Sequence, residues 1–219
     1  MHHTTNVSGG RTPLKLFATL TYLCIRQKEI TYKKGVCEVR PHKAEHNCMR
    51  IPIRGNRIYY PGDVSTPAGS LELIKLIINS VVSWRDARFI KFDTKYFYLE
   101  IPMQRSEYAR IKLSNILQEL IDEYDLTTHT CNGWVYFEIL KGCYGLLQAR
   151  KLSNDILCVL LNKAGYYDTA KTLGLWCHKW RPIIFGIIVD NFRIEYVRKR
   201  HAQQLLHNLH EHYTITIDL

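Results

Sequence analysis

The order of apolar and polar residues alternates between a period of two and a helical period along most of the chain. Two basic segments, ITYKKGVCEVRP and MRIPIRGNRI, place apolar residues at alternate positions and are joined by the polar turn PHKAEHN, which predicts a β-hairpin. The segment SLELIKLIINSVVS repeats apolar residues at helical spacing, and Ser70 can cap its start. The next segment, ARFIKFDTKYFYL, predicts a strand that ends at Asp93 and an aromatic-rich turn after it.

The same alternation continues through the second half. YARIKL at 108–113 predicts a strand, SNILQELIDEY a short amphipathic helix capped by Ser114, and CNGWVYFEIL a turn at Asn132-Gly133 that leads into a strand. LQARKLSNDILCVLLNKAG has the clearest helical pattern and can end at Gly165. Two strands with a tight turn follow in RPIIFGIIVDNFRIEYV, and KRHAQQLLHNLHEHY predicts a final helix.

Several adjacent predicted strands have the short connections typical of antiparallel pairs. This arrangement favours an α+β fold, an antiparallel sheet with helices on one face, over a doubly wound parallel sheet. Residues 1–24 begin with the polar, glycine-containing segment MHHTTNVSGGRTP and are predicted to be a loose N-terminal arm. The remaining residues, 25–219, are predicted to form the folded domain.

The excess of basic residues indicates what kind of molecule the protein binds. The chain has 219 residues with 30 Lys+Arg against 20 Asp+Glu, a net charge of +10, and a pI near 9.3. Such a basic protein is expected to bind a polyanion, and nucleic acid is favoured over an anionic membrane because no basic amphipathic helix stands out. Seven cysteines, an odd number without repeated spacing, indicate reduced thiols in a cytoplasmic or nuclear protein that is not secreted.

Two aspartates share an unusual placement, because each follows an apolar strand. Asp93 comes after RFIKF and Asp190 after FGIIV. Two carboxylates brought together at strand ends can hold a pair of Mg²⁺ ions, which prefer oxygen ligands and serve nucleotidyl transfer. The alternative is structural, since Asp190-Asn191 is also a common pair in hairpin turns. The spacing alone leaves both interpretations open.

Three blocks of the sequence together resemble a known enzyme family. FDTKYFYL, KGCYGLLQA and IIVDNF, in this order and at these separations, are similar to blocks of the reverse transcriptase palm, and the resemblance to copia-type LTR-retrotransposon polymerases covers residues 25–219. It implies reverse-transcriptase-like fingers and palm with a ferredoxin-like antiparallel sheet, without thumb or RNase H. YGLLQA favours copia-type over gypsy-type ancestry.

The resemblance also implies an activity and a metal site. The activity is RNA-directed DNA polymerisation by two-metal nucleotidyl transfer, with Mg²⁺ as cofactor and an RNA or DNA template-primer and dNTP as partners. Asp93 corresponds to the first metal-binding aspartate and Asp190 to the first of a pair, whereas Asn191 stands where the family has the second aspartate. Because an amide offers an oxygen without negative charge, metal binding and activity are expected to be impaired.

Four further residues are carried over as nucleotide-binding. Tyr98 matches the aromatic ring that excludes a 2′-hydroxyl, and Gln148 matches a glutamine that touches the nucleotide, although Leu147 and Arg150 depart from the family pattern around it. Arg50 and Lys43, in the basic hairpin, are placed like residues that grip triphosphate oxygens. The alternative for Lys43 is a solvated surface position.

Two other functions compete with an active polymerase. One is a catalytically inactive retroelement remnant whose basic surface at most binds nucleic acid. The other is a ferredoxin-like RNA-binding module without polymerase ancestry, which would use exposed aromatic side chains on its sheet. The sequence contains no aromatic block of the kind typical of such modules.

Overall fold

The computed structural model describes residues 14–16, 30–32, 36–39, 47–50, 52–99 and 101–218. Within these ranges the protein has a mixed α+β fold with largely antiparallel sheets. Its strands are β1 (Leu14–Leu16), β2 (Thr31–Tyr32), β3 (Val36–Val39), β4 (Asn47–Arg50), β5 (Arg88–Lys95), β6 (Pro102–Lys112), β7 (Thr130–Cys131), β8 (Trp134–Lys141), β9 (Tyr166–Asp168), β10 (Leu175–His178), β11 (Ile183–Ile188), β12 (Asn191–Tyr196) and β13 (Thr214–Asp218). Its α-helices are α1 (Leu71–Ser83), α2 (Gln118–Glu123), α3 (Leu147–Lys163) and α4 (Lys199–His210).

The chain divides into two compact units, each built from two separate stretches. Unit 1 comprises residues 1–63 and 98–149, and unit 2 comprises residues 64–97 and 150–219. The predicted domain at 25–219 therefore contains parts of two units. Of the predicted arm at 1–24, residues 14–16 form β1, which pairs with β8, and the other residues lie outside the described ranges.

Unit 1 contains a five-stranded sheet in the order β1-β8-β6-β2, with β7 also paired to β8. All pairs are antiparallel except β2 with β6. The predicted turn at Asn132-Gly133 joins β7 to β8, and both of its residues have positive φ (50° and 75°), as a type I′ hairpin requires. Buried Ala109, Phe137 and Ile139 line the inner face of the sheet.

The basic hairpin predicted in unit 1 is present as a two-stranded sheet. β3 pairs with β4 in antiparallel register, with Val36 opposite Arg50. Its turn, including Lys43, lies outside the described residues.

The helix predicted from Ser114 begins later than the sequence indicated. Leu113–Asn115 form a 3-10 turn, and α2 starts only at Gln118, with Leu117 at the N-cap and no side-chain cap. The turn closes through a hydrogen bond from the Ile116 amide to the Leu113 carbonyl oxygen (3.0 Å). Because this turn takes up the residues around Ser114, that side chain cannot cap α2.

Unit 2 contains a six-stranded antiparallel sheet in the order β13-β5-β12-β11-β10-β9. The predicted helix α1 is present, and its cap is Ser70, whose Oγ accepts the Leu73 amide at 3.3 Å. α1 packs over Gly186 of β11, where a Cβ would stand 3.0 Å from the Ile77 side chain. On β12, Glu195 accepts a hydrogen bond from Ser80 of α1 (3.0 Å).

Candidate functional site

The candidate acid site lies where β5 and β12 meet in unit 2. In their antiparallel register Asp93 is directly opposite Asn191, and Phe92 is opposite Phe192. The two phenylalanines are fully buried and stacked, with ring centroids 4.5 Å apart. Because side chains alternate along a strand, Asp93 and Asn191 share the sheet face opposite this stack, where both are half-buried.

Asp190 enters the site from a strained hairpin. Ile188 pairs with Asn191, so the two loop residues are Val189 and Asp190. The structural alternative, in which Asp190 and Asn191 form the turn pair, differs from the structure by one residue, since Asn191 already belongs to β12. Of the two loop residues, only Val189 has a positive φ (62°). A positive φ at the first loop position alone is typical of a type II′ turn, in which glycine normally occupies that position. A β-branched residue in this conformation is a true outlier, of the kind that clusters at functional sites.

Backbone and side-chain hydrogen bonds hold Asp190 in place. Its carbonyl oxygen accepts from both the amide and the Oγ1 of Thr94, each at 3.0 Å. Thr94 is only 2% exposed, so this anchor lies within the fold. The Asn191 amide nitrogen donates to Asp190 Oδ1 at 3.0 Å, and Arg193 Nη1 donates to Asn191 Oδ1 at 3.4 Å.

Cationic side chains occupy the next positions on the same face. Lys91 and Arg193 are opposite each other, two residues from Asp93 and Asn191 on their respective strands. The two carboxylates therefore have two cations nearby in the same sheet. Within the described ranges, no three His, Cys, Asp or Glu side chains cluster in a way that could hold a metal ion.

The oxygen donors fit a hard divalent ion only in part. Asp93 and Asp190 supply carboxylates of the kind that Mg²⁺ prefers. Asn191, however, directs its amide nitrogen at Asp190, and its oxygen accepts from Arg193. A metal ion that bound Asp190 through Oδ1 would share that oxygen with the Asn191 side-chain amide.

The residues predicted to bind nucleotide belong to unit 1, whereas Asp93 and Asp190 belong to unit 2. Gln148 is 2% exposed and donates to Glu107 Oε1 at 3.1 Å, so its amide is engaged within the core of this unit. Tyr98 is half-buried and meets Tyr144 edge to face, with centroids 6.0 Å apart. Arg50 is the last residue of β4, and Lys43 lies outside the described residues.

Close backbone contacts explain the glycines of the KGCYGLLQA block. A Cβ at Gly142 would overlap the Tyr98 carbonyl oxygen, and one at Gly145 would overlap that of Ile53. Gly145 also has a φ of +94°. The two glycines are thus required by packing in unit 1, whatever role the block has in ligand binding.

Sequence reasoning missed three residues that organise these sites. Thr94 anchors Asp190, Arg193 approaches Asn191, and Glu107 receives Gln148. Thr94 and Glu107 had a readable signal, because each is a polar residue at a position where the period-two pattern expects an apolar one. Arg193 had none, since its contact depends on how the hairpin closes.

No protein-family model matches the chain, and no curated protein is significantly similar to it. Across the part of the chain that the structure describes, no helix is both long and apolar enough to cross a membrane.

Proposed function

We propose that the chain is a reverse-transcriptase-type polymerase domain, a fingers-and-palm region whose metal-dependent nucleotidyl transfer is weakened by Asn191. Asp93 and Asp190 are the catalytic carboxylates of this proposal. If Mg²⁺ binds them, it would activate the primer hydroxyl and stabilise the leaving pyrophosphate. The proposal rests on the resemblance of three sequence blocks and on one structural observation.

That observation is the placement of the β11–β12 hairpin beside β5. It brings residues from two sequence blocks, FDTKYFYL and IIVDNF, onto neighbouring strands of one sheet, with Asp93 opposite Asn191. Asp190 follows the strained Val189 and is tied to β5 through Thr94. Strain of this kind costs about 1–3 kcal/mol and is retained where the surrounding structure imposes it. The strained turn therefore supports a functional role for this hairpin.

A second candidate is nucleic-acid binding without catalysis. It is favoured by the hydrogen bonds from Arg193 to Asn191 and from Asn191 to Asp190. This arrangement, with Lys91 opposite Arg193, places positive charge near the carboxylates without a metal ion. In this interpretation the acid site is an inactive remnant of an ancestral polymerase site. The net charge of +10 then serves only to bind phosphate groups.

Primer extension on poly(rA)/oligo(dT) with Mg²⁺ or Mn²⁺ tests the first proposal. We expect weak extension by the parent and at least about tenfold more by Asn191→Asp, because even residues that only support metal ligands change activity by about 10–100-fold. Asp93→Asn should abolish extension in both backgrounds. Asp86→Asn is the matched control, since it removes an exposed carboxylate just before β5 and should leave extension unchanged.

A second measurement distinguishes the two candidates when extension is undetectable. Mg²⁺ that binds only the folded state raises its stability by mass action, so thermal unfolding reports on the metal site independently of activity. We expect 10 mM Mg²⁺, taken as about ten times a millimolar dissociation constant, to stabilise Asn191→Asp by about 1.4 kcal/mol and the parent by less. If neither protein extends a primer and neither responds to Mg²⁺, the polymerase proposal is rejected.

A further inference from the structure

A cationic cluster lies in unit 2 at the end of β11 and β12 that is remote from Asp190. It consists of Arg181 before β11, and Arg198 and Arg200 at the start of α4. β11 runs for six residues between Arg181 and the Val189–Asp190 loop. At about 3.4 Å per residue, the cluster is roughly 20 Å from the candidate acid site. It is therefore a separate feature of the surface.

The cluster has no compensating acid of its own. Within residues 52–99 and 101–218, none of the three arginines forms an ion pair with a carboxylate. The first turn of α4 contains no acidic residue and has no side-chain cap. The nearest acid along the chain, Glu195, is hydrogen-bonded to Ser80. Free amides at the start of a 12-residue helix add their partial positive charge to that of the arginines.

A buried histidine in the first turn of α4 is incompletely satisfied. His201 is 8% exposed, and its Nδ1 has no hydrogen-bond partner. On the other side of the ring, Nε2 is 3.4 Å from Arg200 Nε. Burial lowers the pKa of His201, and so do the charges of Arg200, Arg181 and Arg198. Because Ile183 pairs with Tyr196, Arg181 and Arg198 flank the same end of the β11–β12 hairpin, and Arg200 contacts the His201 ring. A bound anion would offset the repulsion among these charges.

An exposed tryptophan adjoins Arg181. Trp180 is 72% exposed, and the Arg181 guanidinium lies over its ring, 4.4 Å from the centroid. The amides of Trp180 and Arg181 both donate to Nδ1 of buried His178 at 3.3 Å, which fixes the loop that carries them. An exposed aromatic ring beside clustered arginines is the combination that stacks a base while neighbouring cations hold its phosphates.

We propose that Trp180, Arg181, Arg198, Arg200 and the start of α4 form a binding surface for single-stranded nucleic acid. The arginines and the helix amides bind backbone phosphates, and the Trp180 ring stacks on a base. Double-stranded nucleic acid fits less well, because its bases are not available to a single exposed ring. The surface is independent of the polymerase proposal, since none of its residues belongs to the acid site.

Fluorescence anisotropy of a labelled twelve-residue oligothymidylate, titrated at several salt concentrations, tests this surface. Removing both charges in Arg181→Gln/Arg198→Gln should reduce the slope of log affinity against log salt by about 1.4, which is about 0.7 for each lost phosphate contact. Trp180→Ala should weaken binding about tenfold, and Trp180→Phe should retain most of the affinity because it keeps a stacking ring. Lys75→Gln/Lys171→Gln removes two exposed charges elsewhere in unit 2 and serves as the matched control.

One further variant and one further measurement keep the test decisive. Arg198→Gln alone removes an exposed side chain at the N-cap position, so it should fold normally and still reduce the salt slope by about 0.7. Oligothymidylate should also quench the fluorescence of the parent more than that of Trp180→Phe. Equal affinity and equal salt slope for the arginine variants and the lysine control would overturn the proposal. So would preferential binding of a duplex of the same length or of anionic vesicles.

Discussion

Two hairpins in the described part of the chain have two-residue loops but very different residues in them. In unit 1, β7 and β8 are joined by Asn132-Gly133, two residues that readily adopt the positive φ angles found there. In unit 2, β11 and β12 are joined by Val189-Asp190, and the valine occupies a position suited to glycine. Each turn has two loop residues, so loop length does not explain the difference.

What differs is the structure beneath each turn. Gly133 has open space around it, with no atom within 4 Å of where a Cβ would lie. The β11–β12 turn is held by Thr94, which binds the Asp190 carbonyl, and by the buried stack of Phe92 and Phe192. Strain persists at Val189 because tertiary contacts impose the conformation, whereas the residues of the other turn specify it themselves.

The largest effect should come from removing the support of the strained turn. Phe192→Ala deletes a fully buried ring that contacts Phe92 and lies 5.9 Å from Phe185, centroid to centroid. We expect the free energy of unfolding to fall by about 3–5 kcal/mol. Urea denaturation measures this loss, and Phe89→Ala, a partly exposed ring on β5, should cost less than about 1 kcal/mol. A similar cost for both variants would show that the stack does not support the hairpin.

Exchanging the chemistry of the two turns should give effects of opposite sign. Gly133→Val introduces a β-branched residue at a φ of 75° and should destabilise the protein by about 1–2 kcal/mol, purely through the backbone. Val189→Gly relieves strain and should stabilise it by up to about 1 kcal/mol, after the greater flexibility of glycine in the unfolded chain is subtracted.

Chemical denaturation of both turn variants provides the measurement. Asp190→Ala is the companion to Val189→Gly, since it leaves the strained position untouched and tests whether the effect is specific to residue 189. Destabilisation by Val189→Gly would mean that Val189 contributes packing that outweighs its strain, and the contrast between the hairpins would then be one of packing.

The smallest effect concerns pH and should be confined to the unit with the strained turn. Burial, followed by nearby arginine charges, lowers the pKa of both His178 and His201 below the ordinary histidine value. Below about pH 6.5 the two histidines therefore bind protons more readily in the unfolded chain than in the folded one. The contribution of the neutral His178 and His201 side chains to stability is complete above that pH. It is lost as the pH falls toward the lowered pKa values.

Urea denaturation at pH 7.5, 6.5 and 5.5 should show this loss in the parent protein. The variant His178→Gln/His201→Gln should show a flatter dependence, and His212→Gln, at an exposed position, should behave like the parent. An unchanged slope in the double variant would assign the pH dependence to other groups.

Local sequence signals account for much of the secondary structure. Ser70, the apolar period of SLELIKLIINSVVS, Asn132-Gly133 and Gly165 each act within a few residues, so α1, the β7–β8 turn and the end of α3 are where the pattern predicted them. The same local reasoning failed at Ser114, where a 3-10 turn competes for the residues expected to begin α2. A continuous apolar run, PIIFGIIV, and the partly alternating run FRIEYV also indicated the two strands of the β11–β12 hairpin.

The assembly of the candidate site, in contrast, depends on long-range contacts. The register of β5 with β12, which places Asp93 opposite Asn191, depends on residues 98 positions apart in the chain (191 − 93), and no local pattern encodes it. The turn falls at Val189-Asp190, which the sequence did not indicate, because Val189 is forced into a conformation that its own preferences oppose. Local propensity describes what a residue favours alone, whereas the contacts of Thr94, Phe92 and Phe192 decide what it must adopt.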